Sequence, residues 1–244
     1  MKEKEWFEKW FGTNYCQLLY QCRNEHEANL FTKNIVNLLN PNISAKILDV
    51  ACGNGRHAEA LSQYGYDLIG IDIQTECISS ALPLQKEGLS FYQHDMRRLF
   101  RINYFDIVLS LFTSFGYFDR VESEIKAAYS LSANIKKEGF LVFDFLNAIK
   151  IRNSLIESEE KQIENVHFKI QRSISNGRII KQILINDQGL MKQFEERVWL
   201  YEMKDIIALF EPFGLKMVYT FGDYYLQDFH PLQSDRLIAV FVKK

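Results

Sequence analysis

A chain of 244 residues is sized for one large domain, or for one domain carrying an inserted piece. It is 47% hydrophobic and 14% aromatic, enough to bury a sizeable core. Its 29 Lys plus Arg against 31 Asp plus Glu give a formal net charge of −2, which leaves no electrostatic footprint for unspecific nucleic-acid binding.

The opening "MKEKEWFEKWF" mixes charge with aromatic rings and has no apolar core or small-residue cleavage site, so it does not read as a signal peptide. No run of 18 apolar residues is present to span a membrane. Cys16, Cys22, Cys52 and Cys77 form no C-x-x-C pair and read as free thiols of a cytoplasmic protein. His26, His167 and His230 are scattered, and with the cysteines they show no metal-ligand spacing. The expected metal set is therefore empty.

The first 44 residues read as a helical cap. In "NEHEANLFTKNIVNLLN", Ala28, Phe31, Ile35, Leu38 and Leu39 fall on one helical face, and Pro41 stops the helix. "KILDV" is then a buried-type strand, followed by a helix-like stretch from Arg56 to Tyr64. "YDLIGID" is a second strand ending at Asp72, and Thr75 to Leu82 a helix with Pro83 beyond it. "LSFYQHD" is a third strand ending at Asp95, and "FDIVLSLF" a fourth. Asp119 to Lys137 reads as a helix, with Gly139 as its terminator and "FLVFDFLN" as a fifth strand. Strands alternating with helices predict βαβ units and a mostly parallel sheet.

Beyond Ile151 the rhythm changes. "NVHFKIQRSIS" and "RIIKQILIND" flank Asn176-Gly177, a strong hairpin signal, and Gln188-Gly189 precedes "LMKQFEERVWLYEM". The expectation is an inserted antiparallel meander of about three strands over 151–202. A helix at "KDIIALFEPFG" and two final strands then complete a Rossmann-like domain made of 45–150 and 203–244.

The stretch "ILDVACGNGRH" sets an acid, Asp49, before two glycines, Gly53 and Gly55, in a strand-to-helix turn. Ligands of open parallel sheets bind at the carboxyl ends of the strands. Three successive strands are expected to bring Asp49, Asp72 and Asp95 to that edge. Gly53-x-Gly55-x-x-Ala58 also fits a dinucleotide turn, with Asp72 near the expected distance for a ribose contact. A pyrophosphate, however, wants unopposed N–H groups, and Asp49 sets negative charge beside them. S-adenosylmethionine has no phosphate and carries a positive ammonium and sulfonium. It fits the acids better, with Asp72 accepting from the ribose hydroxyls, Asp95 from the adenine amino group, and Met96 packing on the ring.

"LDVACGNGRH", "GIDI", "HDMRRL" and "FDIVLSLFTSFGYF" resemble the class I S-adenosylmethionine-dependent methyltransferases, most closely small-molecule members such as the N,N-dimethyltransferases of nucleotide-linked aminosugars. The resemblance implies a seven-stranded sheet with its last strand antiparallel, helices on both faces, and a β-rich insertion after the fifth strand. It implies that Asp49, Gly53 and Gly55 border the methionine part of the cofactor, with Ala51, Ile73 and Leu111 completing the set around Asp72, Asp95 and Met96. Tyr15 and Arg23 match the tyrosine and basic residue that similar enzymes place over the cofactor. By the same resemblance Tyr117, at the end of "SFGY", faces the acceptor, with Phe115 beside it. Asn147, Trp199 and Tyr224 are further candidate acceptor contacts, and for Phe115, Trp199 and Tyr224 a core role is the alternative. Asp144 reads as a structural acid that needs buried partners.

The expected partner is a small-molecule acceptor, and the absence of a readable His–Asp dyad favours an amine nitrogen. RNA or protein methylation, and a non-catalytic cofactor-binding role, remain the alternatives. The insertion is expected to cover the site, to mediate a homodimer, or both.

Overall fold

The computed structural model describes residues 4–21 and 25–244. Arg23 and Cys22 lie outside the described residues. The cap comprises α1 (Trp6–Trp10), α2 (Asn14–Leu19) and α3 (Glu25–Leu39). β1 (Lys46–Val50), α4 (Arg56–Ser62), β2 (Asp67–Asp72), α5 (Thr75–Ala81), β3 (Leu89–Gln93), β4 (Phe105–Ser110), α6 (Val121–Asn134) and β5 (Ile135–Leu146) follow in alternation. A short α7 (Ala148–Asn153) leads into β6 (Ser158–Ile163), β7 (Val166–Ser175), β8 (Arg178–Asp187) and β9 (Leu190–Trp199). The chain then closes with α8 (Met203–Phe210), β10 (Leu215–Phe221) and β11 (Arg236–Lys243).

Seven strands form one sheet in the order β10-β11-β5-β4-β1-β2-β3. β1 to β5 pair in parallel, and the last strand, β11, runs antiparallel to both of its neighbours. Alternate residues of each strand feed opposite faces, the period-2 rule of a pleated sheet. Ile47, Leu68, Ile107 and Leu109 meet Phe31, Ile35, Ala58 and Leu61 on one face. Leu48, Val50, Val108 and Phe143 meet Trp10, Leu131 and Phe210 on the other.

The insertion is a separate antiparallel sheet, β6-β7-β8-β9. Its apolar face, carrying Phe168, Ile170, Ile183 and Ile185, joins the same core as Trp10 and Phe143. It has four strands where the sequence suggested about three. The extra strand, "SEEKQI", alternates exposed and half-buried residues, mostly polar, at the sheet edge, and its low β-propensity hides it.

Two boundaries also shift. The predicted helix from Asp119 begins at Val121, and β5 starts at Ile135, so Gly139 lies inside a strand rather than ending a helix. A Cβ at Gly139 would stand 2.8 Å from the Asp106 carbonyl oxygen, beside the point where the β4–β5 register slips. The glycine permits that close backbone approach.

Candidate active site

The carboxyl ends of β1, β2, β4 and β5 open into one cavity of about 1180 Å³, roofed by the cap and walled on the far side by the inserted sheet. At its floor is the glycine turn. Gly53 (φ 57°) and Gly55 (φ 84°) are both left-handed, the region where glycine carries no Cβ penalty. They differ in role. A Cβ on Gly53 would meet no atom within 4 Å, so this backbone is open to a bound molecule. A Cβ on Gly55 would stand 2.7 Å from the Phe91 ring, so this glycine serves packing at the start of α4. Ala51, also at positive φ, lines the cavity, whereas Gly55 does not.

The three acids come to one edge by different means. Asp49 lies one residue inside β1, is 1% exposed, and leaves Oδ2 buried without a hydrogen-bond partner. Burial pushes its carboxyl up to about 7; the nearby Arg56 opposes the rise and Asp72 adds to it. Asp72 ends β2 and lines the cavity. Its Oδ2 accepts from the Gly53 N–H (2.9 Å) and its Oδ1 from the Gln74 N–H (2.8 Å). Burial raises this carboxyl too, opposed by the backbone N–H groups of Gln74, Gly53 and Ile73. The residue therefore fixes the turn as well as presenting an acid.

Asp95 lies two residues beyond β3 rather than at its end. Burial alone would raise it, but it is clamped by Arg97 through Nε at 2.9 Å and Nη2 at 2.7 Å, which holds its carboxyl below the usual range. Met96 and Ile73 line the cavity beside it.

The roof is tied down from several sides. The Gln74 side chain donates to the Phe7 carbonyl (2.7 Å), and Trp6 Nε1 donates to the Tyr117 carbonyl (3.1 Å). Tyr117 lines the cavity, its ring stacked on Phe11 with centroids 5.4 Å apart. Burial, then the Glu196 carboxylate, holds its hydroxyl well above the usual tyrosine value. The loop bearing it is fixed from below by Glu124, whose Oε1 accepts from the Phe118 N–H at 2.9 Å.

Several expected contacts stand elsewhere. Tyr15 donates to Asp187 Oδ2 (2.8 Å) at a smaller separate cavity, and its neighbour along the chain, Tyr20, takes the place over the central one. Leu111 is 3% exposed in the core. Phe115 is 1% exposed and packs on Phe143 and Phe210. Asn147 caps α7, accepting from Ile149 and Lys150 while Nδ2 donates to the carbonyls of Pro231 and Ser234, so its polar atoms are spent on the backbone. Trp199 donates to the Phe118 carbonyl under the Arg178 guanidinium, and Tyr224 bonds Asp144 against Phe31. Asp144 has the structural role expected of it, binding Arg236 Nε (2.7 Å) and the Phe112 N–H (2.7 Å).

The rest of the cavity wall, toward the cap and the inserted sheet, includes residues the motifs did not point to: Tyr20, Phe112, Arg172, Lys181, Glu196 and Arg236. One signal was available. Along β7, β8 and β9, charged residues occupy positions that strict alternation assigns to the apolar face: Arg172 after Phe168 and Ile170, Lys181 before Ile183 and Ile185, and Glu196 before Val198.

Residues 47–139 match the model of the methyltransferase domain family. Across 94% of its length it has the fold of an S-adenosylmethionine-dependent methyltransferase from Clostridium acetobutylicum, with a TM-score of 0.78 over 95% of that chain at 19% identity. Among curated proteins it is 32% identical over 109 residues to YqeM of Bacillus subtilis, covering 43% of this chain and 44% of that one. It is 28% identical over 101 residues to a dTDP-3-amino-3,4,6-trideoxy-α-D-glucopyranose N,N-dimethyltransferase of Streptomyces venezuelae, covering 41% and 42%. These matches span less than half the length of those relatives. Among the described residues no helix is long and apolar enough to cross a membrane.

Proposed function

We propose that the chain transfers a methyl group from S-adenosylmethionine to a small-molecule acceptor, at an amine nitrogen. The observation that carries this reading is the floor of the cavity: an open Gly53 backbone beside Asp72, with the unpartnered Asp49 oxygen buried beneath the turn. A buried carboxylate with an orphaned oxygen favours a cationic ligand and disfavours a pyrophosphate. S-adenosylmethionine supplies such a charge and an activated methyl group.

In this reading Ala51 and the Gly53 backbone face the methionine part with the Asp49 carboxyl buried behind them, Asp72 the ribose, and Met96 with Ile73 the adenine. Asp95, already clamped by Arg97, contributes its remaining acceptor capacity and a fixed wall. Cap and inserted sheet enclose the acceptor, exclude water and hold its nitrogen in line, which is the main task of the protein in such a displacement. Tyr117 orients the acceptor. The S. venezuelae relative, by its name an aminosugar N,N-dimethyltransferase, supports an amine.

The class of acceptor is tested by incubating the protein with S-adenosylmethionine labelled in its methyl group and an extract of the source cells. Label in a low-mass amine is expected. Label recovered in RNA or protein would replace this reading with methylation of a macromolecule.

A further inference from the structure

Three ionised side chains stand in one row across the apolar face of the inserted sheet. Arg172 on β7 pairs in register with Lys181 on β8, and Lys181 with Glu196 on β9. All three line the central cavity. The row is flanked on the same face by buried Ile170, Ile183 and Val198. Buried ion clusters add little to stability compared with apolar residues of the same volume, because desolvation offsets the attraction. Arg172 is accounted for by its ion pair with Glu159 on β6, but packing alone gives no reason for Lys181 and Glu196.

The two oxygens of Glu196 are used unequally. Oε1 accepts from Trp10 Nε1 and from the Tyr20 hydroxyl, each at 2.7 Å. These bonds join the sheet to the cap and account for that oxygen. Lys181 spends its short bond, 2.6 Å, on the Tyr20 hydroxyl and comes only to 3.5 Å from Glu196 Oε2. A charge-assisted N–H···O bond is normally near 2.7–2.9 Å, so Oε2 keeps capacity for a better donor. Around this carboxylate the cavity wall is aromatic, with Tyr20, Phe11, Phe112 and Tyr117. Tyr20 and Phe112 meet edge to face at 6.1 Å. One carboxylate among aromatic faces is the chemistry that receives an amine in its ammonium form, through a hydrogen bond and cation–π attraction.

We infer that Glu196 is the acceptor-binding residue that selects amines, its Oε2 receiving the N–H of the acceptor between the rings of Tyr20 and Tyr117. This rests on the methyl-transfer reading above and adds to it a residue and a selection rule. Trp10 and Tyr20 hold the carboxylate through Oε1, and Lys181 competes for Oε2 until an amine arrives.

The test uses cyclohexylamine, protonated at pH 7, and cyclohexanol, of the same ring shape. Both are titrated into the full chain saturated with S-adenosylhomocysteine, with binding read by ligand-observed NMR. The wild type is expected to prefer the amine by about tenfold or more, the worth of one hydrogen bond to a charged group. In Glu196→Gln the preference falls to within about twofold while affinity for S-adenosylhomocysteine is unchanged. Lys181→Met, which removes the competing ammonium and leaves Glu196 in place, strengthens amine binding by about threefold or more, and it reads the same contact if Glu196→Gln does not fold. No amine preference in the wild type, a preference retained in Glu196→Gln, or unchanged or weaker amine binding in Lys181→Met each overturns the assignment. Failure of S-adenosylhomocysteine to bind contradicts the cofactor reading instead. The two titrations repeated on the ligand-free chain then decide the role of Glu196 by itself.

Discussion

Asp49 carries opposing demands. Its carboxyl is buried and pushed up to about 7, yet the proposed ligand needs it ionised. A carboxyl whose folded value lies above its unfolded one binds more protons in the folded state. The chain therefore loses stability as pH rises from about 4 through 7 and levels off above. Asp49→Asn should remove that part of the loss and melt about 2–4 °C above the wild type at pH 8, with a smaller gain at pH 5, taking about 1 kcal/mol of relief for a chain of this size. A residual slope will remain from Glu124, which burial likewise pushes up to about 7. Melting curves of wild type and mutant that run parallel between pH 5 and 8 would contradict this account. Legibility at this scale followed chemistry. The cavity positions of Asp72, Met96 and Ile73 were readable because each sits close to a strand end, and that of Tyr117 because its segment resembles the family's. Phe115, Trp199 and Tyr224 were not, because an aromatic ring serves a core and a pocket equally well and only tertiary packing separates the two. Asn147 was misread for a related reason: a polar residue after a strand is also the best helix cap.

Among the elements, the turn between β1 and α4 can be tested glycine by glycine. Both Gly53 and Gly55 hold positive φ, so alanine at either costs about 1–2 kcal/mol of backbone strain. Only at Gly55 does the new Cβ collide with Phe91, and only at Gly53 does it enter the open cavity. Gly55→Ala should therefore be the more destabilised protein. Gly53→Ala should fold with the smaller penalty and lose most of its affinity for S-adenosylhomocysteine. Thermal melts and calorimetry in which the two variants rank the same way in both properties would refute the division of labour. The alternation of apolar strands with amphipathic helices made the mostly parallel sheet legible, and the resemblance implied its seven strands with the last antiparallel. β6 was hidden because an edge strand needs no continuous apolar face, and the start of β5 was obscured by a helix that runs into it without a break. Arg172, Lys181 and Glu196 show what a stricter reading of strand alternation would have added: three charges in register on a face that should be apolar.

At the scale of the whole molecule, one cavity is shared by three pieces distant in sequence. The sheet edge supplies Asp72 and Met96, the cap Phe11 and Tyr20, and the insertion Lys181 and Glu196. That cap and insertion meet over the sheet edge was expected from the sequence; which of their side chains reach the cavity was not, because a linear pattern does not show it. The floor is also where the central claim is most exposed, since the same glycine turn can be drawn as a dinucleotide site. A cationic methyl donor and a pyrophosphate make opposite demands on the buried Asp49. Isothermal titration of the full chain at pH 7.5 with S-adenosylmethionine, S-adenosylhomocysteine and NAD decides between them. The account predicts saturable one-to-one binding of the first two and no measurable heat from NAD; binding of NAD in preference to both would contradict it.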